Sequence, residues 1–160
     1  MLADLHVHSK YSQDAQPHTI EELAQSAEDK GFSFVAICDH KDFFRAKEPE
    51  YYDVAACQKD IAEANERHNV TLLRGIELGE IHATPDTMDF LSHHTFDQII
   101  GSLHSLPDDR DFYQIDFTKE DCETFLREYL LDLNRMVLHG GFDILAHIDF
   151  PLRVMRQPSF

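Results

Sequence analysis

The run FSFVAICDH, Phe32 to His40, is almost uninterruptedly apolar and stops on two polar side chains. A strand with one wet face alternates apolar and polar residues, whereas a strand covered on both faces of a parallel sheet reads as this one does. Parallel neighbours need a crossover, usually a helix, so helices are expected on either side in sequence. Upstream, TIEELAQSAEDKG (19–31) fits: Thr19 and Glu22 form a capping box, Ile20, Leu23, Ala24 and Ala27 make an apolar stripe, and Gly31 stops it. Downstream, past the loop KDFFRAKEPEYY, the segment DVAACQKDIAEANERHN (53–69) offers Asp53 as cap and Val54, Cys57, Ile61 and Ala64 on one face.

The pattern continues in both directions. LADLHVHSKYSQDA (2–15) opens with a short strand, TLLRGIELGEIH (71–82) is a third strand and DQIIGSLHSL (97–106) a fourth, with a weakly helical segment between the last two. KEDCETFLREYLLDLNRMVLHGG (119–141) is the strongest helical pattern. Cys122, Phe125, Leu126, Tyr129, Leu130, Leu133, Met136 and Val137 are spaced by threes and fours before Gly140 and Gly141. FDILAHIDF (142–150) supplies a fifth strand. Alternating strands and helices at about thirty residues per unit predict right-handed crossovers and a parallel α/β sheet, a TIM-like barrel or part of one, as a single domain over residues 1–160.

Every one of these strands ends in a side chain able to bind a metal: His6 and His8, then His40, Glu77, His104 and His147. Alternate residues of a strand share a face, so His6 and His8 point together. In a parallel barrel the C-terminal strand ends meet at one mouth, which would gather residues spread over the whole chain. Asp14, in the loop after the first strand, could reach the same mouth or serve as an ordinary turn aspartate. Imidazole and carboxylate without thiolate suit zinc, manganese or iron in a multinuclear hydrolytic site, with Glu77 able to bridge two ions and a hydroxide between them as nucleophile. Arg153, beyond the fifth strand, could hold a phosphate or lie solvated, and Asp149 could support His147 or sit in a surface ion pair. His18, His68, His82, His93, His94 and His139 fall in helix ends or loops and carry no assignment.

Composition narrows the partners. Fourteen basic against thirty acidic residues give a formal charge of -16, which repels a nucleic-acid backbone at long range, whereas bound cations would still admit a small phosphorylated metabolite. No apolar run is long enough to span a bilayer, the N-terminus lacks the pattern of a secretory signal, and three scattered cysteines fit reduced thiols. A cytoplasmic protein without a membrane role is expected.

Taken together, DLHVHSKYSQDA, ICDH, GIELGE, GSLHSL and FDILAHID, in that order, resemble the polymerase and histidinol phosphatase superfamily, PHP, and its histidinol-phosphatase-like branch. The resemblance implies a distorted (β/α)7 barrel with two to three divalent ions at its mouth. It implies that His6, His8 and Glu77 hold one ion, that Glu77 bridges to a second held by His104 and His147, and that Asp14 and His40 serve a third. The chemistry implied is hydrolysis of a phosphoester by a metal-bridging hydroxide, in the nearest branch removal of phosphate from L-histidinol phosphate in histidine biosynthesis, with Glu77, His104 and Arg153 as the catalytic candidates. The family's later Asp-x-His motif has no match after His147. An N-terminal portion with about five of seven β/α units is therefore expected, with a sheet edge open to self-association. The competing readings are a PHP-type phosphodiesterase or nuclease, and a metal-binding module without activity.

Overall fold

A computed structural model describes residues 1–12, 17–43, 52–106 and 112–155. In chain order the elements are strand β1 (Ala3–Val7), helix α1 (Ile20–Asp29), strands β2 (Phe34–Ile37) and β3 (His40–Asp42), helix α2 (Val54–Asn65), strand β4 (Thr71–Gly79) and helix α3 (Pro85–His93). Strand β5 (Gln98–Ser102), a 3₁₀ turn (Phe112–Gln114), helix α4 (Cys122–His139), strand β6 (Ile144–Leu145) and helix α5 (Phe150–Met155) follow. All pairings are parallel, and the sheet runs β1-β2-β4-β5-β6 with β3 also on β4. Spatial order follows chain order without the reversal that marks a doubly wound sheet, which is how a barrel winds. Among the described residues, β1 and β6 are the outer strands.

The run from Phe32 to His40 is divided between two strands. β2 and β3 flank a break at Cys38–Asp39, yet the register along β4 does not slip: Ile37 lies opposite Arg74 and His40 opposite Glu77. The Glu77 N–H bonds the Asp39 carbonyl across the break at 3.1 Å. The two faces of the sheet then differ by residue parity. Val35, Ile37 and Leu72 pack outward with Ile20, Ala24 and Ala27 of α1 and Cys57, Ile61 and Ala64 of α2. Ile76 and Leu78 join Phe125, Tyr129, Leu133 and Met136 of α4 in a second layer. The opposite face holds the smaller Ala36 and Cys38 with Ile100, Ala146, Leu73 and Ile144. Glu77 shares parity with Leu73, so the pleat that sends Ile76 and Leu78 to the helices turns Glu77 the other way.

Local signals place the helices. Thr19 and Glu22 close the expected capping box on α1, an arrangement of about 1 kcal/mol, and Gly31 takes φ 75 after its end. Asp53 caps α2 through the Ala56 N–H. The weakly helical segment is a full helix, α3, because Thr84 caps it and Pro85 starts it. On α4 only the line through Phe125, Tyr129, Leu133 and Met136 faces the sheet; Leu130 and Val137, expected in the stripe, are exposed, and Asp132 is buried instead, held by His82 and Arg135. β6 is shorter than FDILAHIDF suggested. The chain leaves the ladder after Leu145, and Pro151, favourable in a first turn, lies at the start of α5. No helix among the described residues is long and apolar enough to cross a membrane, and Cys38, Cys57 and Cys122 are free thiols.

Gly75 shows how closely β2 and β4 approach on the inner face. A Cβ there would overlap Cys38 Sγ and lie 2.8 Å from the Ile37 carbonyl oxygen, which as backbone cannot step aside. Gly75→Ala is therefore expected to lower the unfolding free energy by about 1–3 kcal/mol, read from the urea midpoint; an unchanged midpoint would mean that the strands are free to separate.

Candidate metal centre

β1 delivers His6 within the strand and His8 just past it, on one face. The turn that follows is tied down by Ser9, whose N–H and hydroxyl donate to the two oxygens of Asp39 at 2.6 and 2.7 Å. Asp39 is fully buried; burial pushes its carboxyl up, and the Ser9 donors oppose that. Asp39 thus locks the end of β1 to the β2–β3 break, and the next residue, His40, is fixed beside it with its N–H on Ser12 Oγ at 3.2 Å.

All of this converges on Glu77, which has no exposed surface. Its Oε2 lies 2.8 Å from His6 Nε2, 3.3 Å from His8 Nε2 and 3.4 Å from His40 Nε2. Its Oε1 lies 2.9 Å from His147 Nε2 and 3.3 Å from His104 Nε2, and accepts the Ser102 hydroxyl at 2.6 Å. The five rings follow one another around the carboxylate with centroids 4.9 Å apart for His6–His8, 4.6 Å for His8–His40, 4.9 Å for His40–His104, 5.3 Å for His104–His147 and 6.2 Å for His147–His6. Burial alone would raise the Glu77 carboxyl; the imidazoles, led by His104, His147 and His6, hold it far below the usual carboxylate range.

His104 and His147 lie just past their strands, and each is anchored from behind. Glu80, buried at the end of β4 with φ 46, accepts the backbone N–H of His104 at 2.6 Å and that of Ser105 at 2.7 Å. Burial, then the neighbouring Asp42 charge, push the Glu80 carboxyl up to about 7. Burial disfavours a charged His104, but the Asp42 and Glu77 carboxylates outweigh it and raise that imidazole well above its ordinary value. The Tyr129 hydroxyl of α4 donates to the His147 carbonyl at 3.5 Å, and the Phe150 ring packs 5.1 Å from His147 and 5.8 Å from His104.

This donor set fits a cation. Among the described residues, three groups of ligand atoms each lie within 4.8 Å of one another: His6, His8 and Glu77; Glu77, His104 and His147; and His40, Asp42 and His104. Five imidazoles this close cannot all carry charge without mutual repulsion, whereas neutral rings directing Nε2 at one place form an N/O site of the type zinc, manganese or iron accept. The buried His147 Nδ1 has no hydrogen-bond partner among the described residues.

His6, His8, His40, Glu77, His104 and His147 are thus brought together. Asp14 lies outside the described residues. Arg153 stands exposed in the last turn of α5, and Asp149 lies in the turn leading into that helix. Three side chains escaped the sequence reading. Asp42 follows His40 by two, the strand spacing that would have found it had the run been carried past His40. Ser102 precedes His104 by the same step, and Glu80 leaves no signal because its role depends on a turn. His68 and His82, unassigned from sequence, pair with Glu21 and Glu28 and with Asp132, away from Glu77.

A family model described as the PHP domain matches residues 4–159. Among solved structures the chain is similar to the histidinol phosphate phosphatase HISK of Lactococcus lactis subsp. lactis Il1403, crystallised with zinc, L-histidinol and phosphate. The TM-score is 0.84 at 22% identity, over 95% of this chain and 59% of that one. That likeness extends to the fold, an α/β sheet forming an incomplete PHP-type TIM-like barrel, and the chain spans less than two thirds of that protein's length. No curated protein matches it. With the family model covering nearly its full length, the chain belongs to the PHP domain family.

Proposed function

We propose that the protein is a metal-dependent phosphomonoesterase acting on a small organic phosphate, with L-histidinol phosphate as the first substrate to try. The observation that carries this reading is the division of labour at Glu77. One carboxylate oxygen faces His6, His8 and His40, the other faces His104 and His147, as a carboxylate bridging two ions requires. His6 and His8 would hold one ion with Glu77, His104 and His147 the second, and His40 a third together with Asp14. Divalent ions bound there would supply a water activated at neutral pH and positive charge against the phosphate oxygens. The chain's own part is to keep Glu77 ionised in a dry setting, with Ser102 fixing its Oε1, and to fix His104 and His147 from behind through Glu80 and Tyr129. Arg153, a cation in the segment that follows His147, would bind phosphate from the rim. The binding of L-histidinol and phosphate by the similar Lactococcus protein supports the substrate, and a charge of -16 weighs against nucleic acid.

The test is turnover of histidinol phosphate, p-nitrophenyl phosphate and bis-p-nitrophenyl phosphate by protein whose zinc, manganese and iron have been counted. Activity on the monoesters, abolished by chelation and regained with metal, is expected; a preference for the diester, or metal-loaded protein inert toward all three, would overturn the proposal. Glu77→Ala should lose both bridged ions together and reduce turnover by at least about a hundredfold.

The chelated protein should also carry a pH signature. Because the Glu77 carboxyl is held below its ordinary value of 4.5, its contribution to stability is complete above that pH and drains away below it. His104, raised above its ordinary 6.5, contributes fully below that value and less as pH rises through its folded value. Chelated protein should thus resist urea best between pH 4.5 and 6.5. Glu77→Gln should cost about 3 kcal/mol in that window, the deficit shrinking below it.

A further inference from the structure

Asp42 lies beside the ring of histidines, and its two oxygens are differently employed. Oδ1 accepts the Gly79 N–H at 2.9 Å, while Oδ2 faces His104 Nδ1 at 3.4 Å. On the same ring, Nε2 faces Glu77 Oε1 at 3.3 Å. The imidazole is therefore spanned by two carboxylates, one at each nitrogen; a charged ring can donate to both, whereas a ring whose Nε2 takes an ion keeps a single proton, and that proton must sit on Nδ1.

Gly79 makes this approach possible. A Cβ at that position would overlap Asp42 Oδ1 and come within 3.1 Å of His104 Nδ1. β3 and β4 are in register here, Asp42 opposite Gly79 and His40 opposite Glu77. The pleat that turns His40 toward Glu77 thus carries Asp42, two residues on, to the far side of His104, over a backbone with no side chain in the way.

We propose that Asp42 is the positioning residue for His104: its carboxylate holds a ring proton on Nδ1, so that Nε2 is the nitrogen left to take an ion beside Glu77. Carboxylates behind metal-bound histidines act this way in general, fixing tautomer and ring angle and strengthening the ligand. The inference rests on the reading of His104 as a metal ligand, but its own content, which nitrogen carries the proton and why, belongs to this chain alone.

Asp42→Asn is the decisive variant. Asparagine keeps the size of the side chain and an oxygen for the Gly79 N–H, but it turns an NH₂ group toward Nδ1, forcing that nitrogen to accept and moving the proton to Nε2. A role in packing or in holding Gly79 survives this change; a role in setting the tautomer does not. Zinc titration of chelated protein should show the ion bound through Glu77, His104 and His147 weakened about tenfold to a hundredfold in Asp42→Asn and in Asp42→Ala alike. The ion bound through His6 and His8 should move less. Thermal melting of each chelated variant serves as the folding control, with Asp42→Asn expected to keep a single cooperative transition.

Proton NMR of chelated, ¹⁵N-histidine-labelled protein supplies the readout that needs no metal. The parent should show a downfield, slowly exchanging proton on His104 Nδ1 that disappears in both variants. Asp42→Asn with parental zinc affinity, or a parent lacking that Nδ1 proton, would overturn the proposal. A parent that shows the Asp42-dependent proton yet takes up no zinc would uphold the tautomer assignment and overturn the metal reading instead.

Discussion

A carboxylate with no exposed surface, touched by five imidazoles and a hydroxyl, is the contact around which this molecule is arranged. Removing a carboxylate from water costs several kcal/mol unless its lone pairs are met. Here Oε2 is met from β1, the turn after it and β3, and Oε1 from β5 and the segments that follow β5 and β6. The strands therefore have to arrive in the order they do: with β4 central, the earlier units can approach one oxygen only, and the later units the other. The winding of the sheet and the partition of the ligands are one fact viewed at two scales.

The supports around Glu77 extend the same logic outward. Asp39 holds the turn after β1 through Ser9, and Glu80 holds the backbone at His104 and Ser105. Both convert a loose strand end into a fixed one, which a site built from five separate segments needs if its donors are to stay within a few tenths of an ångström of a shared target. The aromatic cover by Phe150 and the bond from Tyr129 do the same for His147 from the helical side.

Much of this was legible in the sequence because burial and periodicity are short-range signals. The apolar run before Asp39, the Thr19–Glu22 capping box and the stripes of α1 and α2 each declare an element without reference to the rest of the chain. The histidines at the strand ends could be grouped because a parallel barrel brings all such ends together. What could not be read depends on where an element stops. The break at Cys38–Asp39 keeps its register and so leaves the apolar pattern intact, which hid β3 and with it Asp42. β6 ends early at Leu145, and Leu130 and Val137 belong to a stripe wider than the surface available to cover it. Glu80 owes its role to a left-handed turn, which no spacing of residue types announces.

The sequence distances across the site have their own consequence. His6 reaches Glu77 over 71 positions and His147 over 70, so the carboxylate lies near the midpoint of the stretch from His6 to His147, which folds back on it from both sides. Each contact closes a long loop, and the entropy of such closure grows only slowly with length. Short hairpins cannot assemble this centre piecemeal, because its first and last donors meet only after every intervening crossover is in place. An ion seated at Glu77 would act as a clasp on both loops at once, and its grip would measure the cooperativity of the entire sheet.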